Sequence, residues 1–350
     1  MELSLWLRYA SQRMKLSWKP FELLLKYPFS ISGFSRTFTP VMLTELSLDG
    51  ITGTGEASMV PYMGESFQTA QHFLSKLDLS WLKYPFNYDE LNVYLNSIAP
   101  QNPAIKAAVD IALHDLQGKI EGKPCHSYWN SKQEKMPFTS VTIGIDTPDV
   151  IRKKVADAAS AKILKVKLGS ANDRQLIQSI RDVSNKPLYA DANQGWQNKE
   201  QALELVYWLQ EQGVEIIEQP MPKENIDGNA WITERSPIPI LADEAVQRLA
   251  DIEYIKGAYH GINVKLMKSA GLHEAHLMIK RARELNMKVL IGCMSETSVA
   301  TLAGISLAPL CDWADLDGPF LTSNNPFRAP AFNDGKWILN NNPGLGLAEE

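Results

Sequence analysis

The chain has 350 residues, 45% of them hydrophobic, with a formal net charge of −5 and a pI of about 5.8. That length and apolar content suffice for one large or two moderate hydrophobic cores. The acidic balance, without a basic tract, gives nucleic acid no electrostatic footprint, and no apolar run is long enough to span a bilayer.

The opening MELSLWLRYASQRMK has too short an apolar stretch for a signal peptide, and Arg8 interrupts it. Met14 offers a second start, so residues 1–13 read as a dispensable leader. Residues 14–60 then alternate in hairpin fashion through FELLLKYPFSIS, VMLTELSLDG and TGTGEAS. Gly53 and Gly55 lack the third glycine and following helix of a nucleotide loop, so no such site is expected there. Residues 90–121 read as helical, with a clean start after Pro103, and His114 inside that helix reads as structural. Residues 14–136 and the turn-rich tail 319–350 are expected to form an α+β capping domain, with KPCHSYWNSKQEKMP as the linker onward. Cys125, Cys293 and Cys311 are odd in number and form no CxxC pair, which fits reduced thiols in a cytoplasmic protein.

From residue 137 the pattern changes to apolar strand-like runs that end on polar or charged residues. FTSVTIG contains Thr142, ILKVKLG contains Lys165 and Lys167, and PLYADAN brings Asp191. VEIIEQP brings Glu218, IPILADE brings Asp243, and GINVKLM brings Lys265. VLIGCMSE brings Cys293 and Glu296, and WADLDGP brings Asp315 and Asp317. From Lys167 to Lys265 these ends recur every 22 to 27 residues, with helical patterns such as KEQALELVYWLQEQG between them. Strand–helix units of this kind predict a parallel sheet covered by helices. Eight units suit a closed barrel, whose strand C-termini converge on one mouth; a doubly wound open sheet is the alternative.

Residues two apart on a strand share a face, so Lys165 and Lys167 point together and Val166 points away. Asp191, Glu218 and Asp243 end three consecutive strands. Any one alone reads as a helix cap or a solvated side chain. Three in register would repel one another unless a cation sat between them, and their oxygens suit Mg²⁺. Lysines before and after this acidic group would lie on opposite sides of the ion. A lysine acts as a base only when neutral, and a nearby ammonium and dication are expected to lower its pKa. The arrangement suits removal of a proton from a carbon next to a carboxylate, with return from the other face.

LKVKLG, DANQGW at 191–196, EQP at 218–220, ADEA at 242–245, INVKLMKSAG at 262–271, AAVDIALHDLQGK and the closing NPGLGL resemble the enolase superfamily. The likeness is to its muconate-cycloisomerase-like subgroup and runs from about Met14 to the end. It implies a modified TIM barrel, (β/α)7β, over residues 137–318, beneath the capping domain. It further implies that Asp191, Glu218 and Asp243 bind one Mg²⁺, that Lys167 and Lys265 are the two bases, and that Lys165 assists electrostatically. Lys268 is expected to begin the next helix and face elsewhere.

Within the subgroup, the DLD at 315–317 looks like that of the dipeptide epimerases, where paired aspartates hold the free ammonium of a dipeptide. Asp315 and Asp317 would do so here, with Thr142 and Cys293 lining the pocket. Epimerases of this kind that accept Ala-Glu are expected to carry an arginine in a capping loop. The matching loop, FSISGFSRTF, places Phe34 there with Arg36 nearby, which implies a preference for hydrophobic side chains in an Ala-Xaa dipeptide. A homo-oligomer is expected. The alternatives are an N-acylamino acid racemase or o-succinylbenzoate synthase of the same subgroup, a Schiff-base lyase, and a non-catalytic binding protein.

Overall fold

The computed structural model describes residues 13–31 and 34–349, apart from the side chains of residues 29–31, 34 and 62. All but the last residue of the expected leader lies outside the described residues. Strands β1 (Lys15–Ile31), β2 (Phe34–Leu48) and β3 (Ile51–Ser58) form an antiparallel sheet in that order. The β2–β3 turn is Asp49-Gly50, with φ of 51° and 79°. Positive φ at both positions matches the right-handed twist of a hairpin, and glycine adopts it without strain.

This sheet lies on the helix Pro103–Glu121, which starts at its proline as the sequence predicts and closes on Gly122 at φ 66°. The contact explains the glycine pair of β3. A Cβ on Gly55 would lie 1.8 Å from the carbonyl oxygen of Ala108, and one on Gly53 would lie 2.1 Å from that of Ala112. The two glycines let strand and helix backbones touch.

Strands β4 (Ser140–Ile143), β5 (Ile163–Lys167), β6 (Leu188–Asp191), β7 (Val214–Glu218), β8 (Ile240–Ala242), β9 (Gly261–Lys265), β10 (Lys288–Gly292) and β11 (Trp313–Asp315) form one parallel sheet in chain order. A parallel bridge between Thr139 and Ala314, and the Leu316 N–H donating to Thr139 Oγ1 at 2.8 Å, bring the first and last strands together. The sheet is a barrel, not an open crevice. A helix follows each of β4 to β10, which is the (β/α)7β pattern. After β11 the chain returns to the capping sheet, where the Ser323 N–H donates to the Leu24 carbonyl at 2.9 Å.

The barrel strands alternate as their sequences require. Leu164 and Val166 of β5 join the core between strands and helices. Ile163, Tyr189, Ile216, Leu241 and Leu290 pack together as an apolar floor inside the barrel. Two residues further along the same inward faces come Lys165, Asp191, Glu218, Asp243 and Gly292. The charges therefore stand on a buried apolar layer, at the C-terminal mouth.

Candidate active site

Strand register sets the charged layer. Lys167 is paired with Asp191, Asp191 with Glu218, and Gly292 with both Lys265 and Asp315. Lys165 Nζ lies 2.7 Å from Glu218 Oε1, 2.8 Å from Asp315 Oδ2 and 3.4 Å from Asp191 Oδ2. Lys167 Nζ lies 2.6 Å from Asp191 Oδ2, and Lys265 Nζ lies 2.7 Å from Asp243 Oδ2. All of these side chains are buried.

Each of the three carboxylates has its two oxygens divided between different tasks. Asp191 Oδ1 accepts from the Asn193 N–H at 3.0 Å, Glu218 Oε2 from the Asn263 amide at 2.8 Å, and Asp243 Oδ1 from the Lys268 ammonium at 2.6 Å. The remaining oxygen of each faces Lys167, Lys165 or Lys265. Donor oxygens from the three residues lie within 4.8 Å of one another, close enough to share one ion.

Electrostatics support that reading. Burial pushes the Glu218 acid up to about 7, and the charges of Asp191 and Asp243 add to it against the pull of Lys165. Burial acts the same way on Asp191 and Asp243. There the lysines win, Lys167 and Lys165 at Asp191 and Lys265 and Lys268 at Asp243, and both acids fall below the usual carboxylate range. A buried group of three acids in which one is under-compensated fits a hard dication held by carboxylate oxygens. At Lys165, burial opposes the charge, but Asp315, Glu218 and Asp191 outweigh it and raise the pKa well above the ordinary value.

The layer opens into a cavity of about 350 Å³ that includes Thr142, Lys167, Lys265, Cys293 and Asp317 among its lining residues. The paired aspartates of the eighth strand do not act alike. Asp315 spends one oxygen on Lys165 and the other on the Ser140 hydroxyl at 2.7 Å. Asp317 accepts from the Thr142 N–H at 2.7 Å and has Cys293 Sγ 3.6 Å from its other oxygen. Burial and the Asp315 charge push Asp317 up to about 6, and burial with Asp317 pushes the Cys293 thiol well up, so it is uncharged.

The side chain of Phe34 lies outside the described residues. Arg36, two residues on in β2, lines the cavity, with Nη2 donating to Ser295 Oγ at 2.9 Å. Lys268 departs from expectation. It sits in a turn after β9, before the helix Leu272–Glu284, and its ammonium is buried against Asp243. His114 stacks on Tyr88 at 4.0 Å between centroids, in keeping with a structural role. Sequence reasoning missed Asn263, although it shares a face with Lys265 two residues away, and it missed Glu244, which lines the cavity beside Asp243.

Comparison with known proteins agrees with the geometry. Residues 150–348 match the model described as enolase C-terminal domain-like, and residues 19–128 match the mandelate racemase / muconate lactonizing enzyme N-terminal domain. The L-Ala-D/L-Glu epimerase of Bacteroides thetaiotaomicron is 47% identical over 96% of this chain and 88% of its own. The hydrophobic dipeptide epimerase of Roseobacter litoralis is 32% identical over 95% and 98%. The crystal structure of a dipeptide epimerase from Cytophaga hutchinsonii, complexed with Mg and D-Ala-L-Val, superposes with a TM-score of 0.87. It is 27% identical and covers 97% of this chain and 96% of that one.

Proposed function

The chain belongs to the enolase superfamily, and from that premise we propose that it is a Mg²⁺-dependent dipeptide epimerase, an isomerase that inverts the α-carbon of the dipeptide's C-terminal residue. The observation that carries this reading is one buried layer in which Asp191, Glu218 and Asp243 converge with Lys167 and Lys265 on their flanks. We assign the barrel to residues 137–318 and the cap to residues 14–136 with the tail 319–350.

Asp191, Glu218 and Asp243 would hold the Mg²⁺, each through the oxygen not tied to Asn193, Asn263 or Lys268. The ion supplies positive charge that stabilises the enolate formed from the substrate carboxylate. Lys165, kept charged by three carboxylates, adds a fixed ammonium beside that group. Lys167 on β5 and Lys265 on β9 approach from opposite walls. One, neutral, takes the α-proton; the other, as ammonium, returns a proton to the opposite face, and the centre inverts. Asp317 and Asp315, which both line the cavity, would bind the N-terminal ammonium.

The side-chain preference follows from the residues around the cavity. The apolar expectation rests on Phe34; Arg36, which lines the cavity from the cap, favours an acidic C-terminal residue, as in Ala-Glu. A hydrophobic preference is the second reading, supported by Met63, Met294 and Leu321 in the same wall. Ala-Glu, Ala-Leu, Ala-Val and Ala-Phe should be compared by α-proton exchange in D₂O, with and without EDTA. Exchange that survives EDTA, or an irreversible trap by borohydride, would overturn the epimerase reading; faster turnover of Ala-Leu would favour the apolar one.

A cytoplasmic location fits three buried cysteines without disulfides, and among the described residues no helix is long and apolar enough to cross a membrane. A homo-oligomer fits the exposed apolar side chains Trp18 and Leu24 on β1 and Phe38 on β2 of the cap.

A further inference from the structure

Lys268 has no role in the two-base chemistry, yet it is one of the most completely engaged charges in the molecule. Its side chain is 3% exposed. Its ammonium donates to Asp243 Oδ1 and to the Asp243 carbonyl, each at 2.6 Å, and to the carbonyls of Val246 and Asn263, each at 3.0 Å. Three N–H groups thus meet four acceptors, one carboxylate and three backbone dipoles, with no capacity left over. A buried ammonium is tolerated only with compensation of this completeness.

The turn after β9 makes this contact. The Lys268 and Ser269 N–H groups both donate to the Lys265 carbonyl, at 2.9 and 3.0 Å, and the chain leaves through Ala270 at φ 59° and Gly271 at φ 117°. The tight reversal brings Lys268 back beneath the strand that carries Lys265. There it ties three pieces of backbone: the end of β8 at Asp243, the loop after it at Val246, and β9 at Asn263.

We propose that Lys268 is a positioning residue that presents Asp243 to the metal through one oxygen and holds Lys265 in place on its side of the substrate. Asp243 lies between two ammonium groups, Lys268 on Oδ1 and Lys265 on Oδ2. With Oδ1 fixed, the carboxylate cannot swing to offer both oxygens or turn away from the site. The neutral counterpart of this device is Asn263, which holds Glu218 Oε2 from the same strand. Lys268 acts on one wall only. Lys167, on the opposite wall, is 2.6 Å from Asp191, which takes its second hydrogen bond from the Asn193 N–H. Loss of Lys268 therefore weakens the metal site as a whole and disturbs one of the two bases selectively.

The inference rests on the assignment of Asp243 as a ligand and Lys265 as a base, so wild type and Asp243→Asn are measured beside it. Calorimetric titration of Lys268→Met with Mg²⁺ should show affinity reduced about 10- to 100-fold, the range for loss of a group that orients a ligand. In D₂O at saturating Mg²⁺, α-proton exchange should fall much further for the epimer served by Lys265 than for the one served by Lys167. General loss of structure would lower both alike. Folded Lys268→Met with wild-type Mg²⁺ affinity and equal exchange of the two epimers would overturn the proposal. If Lys268→Met does not fold, Lys268→Arg, which keeps the charge but not the four-contact geometry, decides: reduced Mg²⁺ affinity with unequal loss of exchange between the epimers supports the proposal, and wild-type affinity with equal exchange overturns it. A wild-type protein that neither binds Mg²⁺ nor exchanges the α-proton would instead remove the functional reading itself.

Discussion

The walls of the cavity and its roof are built on different principles. The walls are strand ends of a closed barrel, where every charged side chain is buried and held by a named partner across the sheet. The roof is the start of β2 in the capping sheet, where the side chains of residues 35–38 are partly or largely exposed. Chemistry shared by a family of reactions sits where register fixes atoms to within a hydrogen bond. Substrate choice sits where a change of side chain disturbs nothing beneath it.

The largest effects are expected at the walls. Lys167→Ala and Lys265→Ala should each lower epimerisation by about 10³-fold, within the range for loss of a positioned acid or base. Each should leave a folded protein that exchanges the α-proton of one epimer only, measured by NMR in D₂O. If either variant epimerises at a near-normal rate, the opposite-wall arrangement is wrong and the contrast with the roof goes with it. The cap has its own rigid point where β3 meets the helix Pro103–Glu121. Gly55→Ala drives a Cβ into the Ala108 carbonyl and should destabilise the protein by about 3 kcal/mol in denaturant melts.

Asp317 tests the boundary between walls and roof. Asp317→Asn should lower kcat/KM for a dipeptide about 10- to 100-fold, while an N-acetylated analogue is little affected. The sign of its pH dependence follows from its environment. Burial and Asp315 raise its acid to about 6, so ionisation in the folded state is disfavoured. This group's contribution to stability falls as pH rises from the ordinary carboxylate range through about 6. Ammonium binding gains over the same interval, so KM should drop between about pH 5 and 7 in wild type and stay flat in Asp317→Asn. The smallest effect belongs to the roof. Arg36→Met should cost about tenfold in kcat/KM for Ala-Glu and nothing for Ala-Leu, and equal loss on both substrates would show that Arg36 has no part in selection.

Much of the wall is legible in the sequence. Alternation within ILKVKLG puts Lys165 and Lys167 on one face, and the regular interval to Asp191, Glu218 and Asp243 announces one layer. The division of labour inside the layer is not legible there. Asp315 and Asp317 read as equivalent partners, but Asp315 carries Lys165 and the Ser140 hydroxyl while Asp317 takes the Thr142 N–H and Cys293 Sγ. Lys268 reads as a lysine that starts a helix and faces away, because a turn that doubles back under its own strand leaves no periodic trace. In the roof, Phe34 and Arg36 lie two apart on β2, and which of them meets substrate depends on how the sheet hangs over the barrel.

Which residues face inward is a local matter. A strand's two-residue period and the apolar floor beneath belong to each segment separately, so the order of amino acids is enough to assign them. Which oxygen answers to which lysine is not local. Those pairings run between strands distant in the chain, and their distances exist only once the barrel has closed and the turn after β9 has folded back.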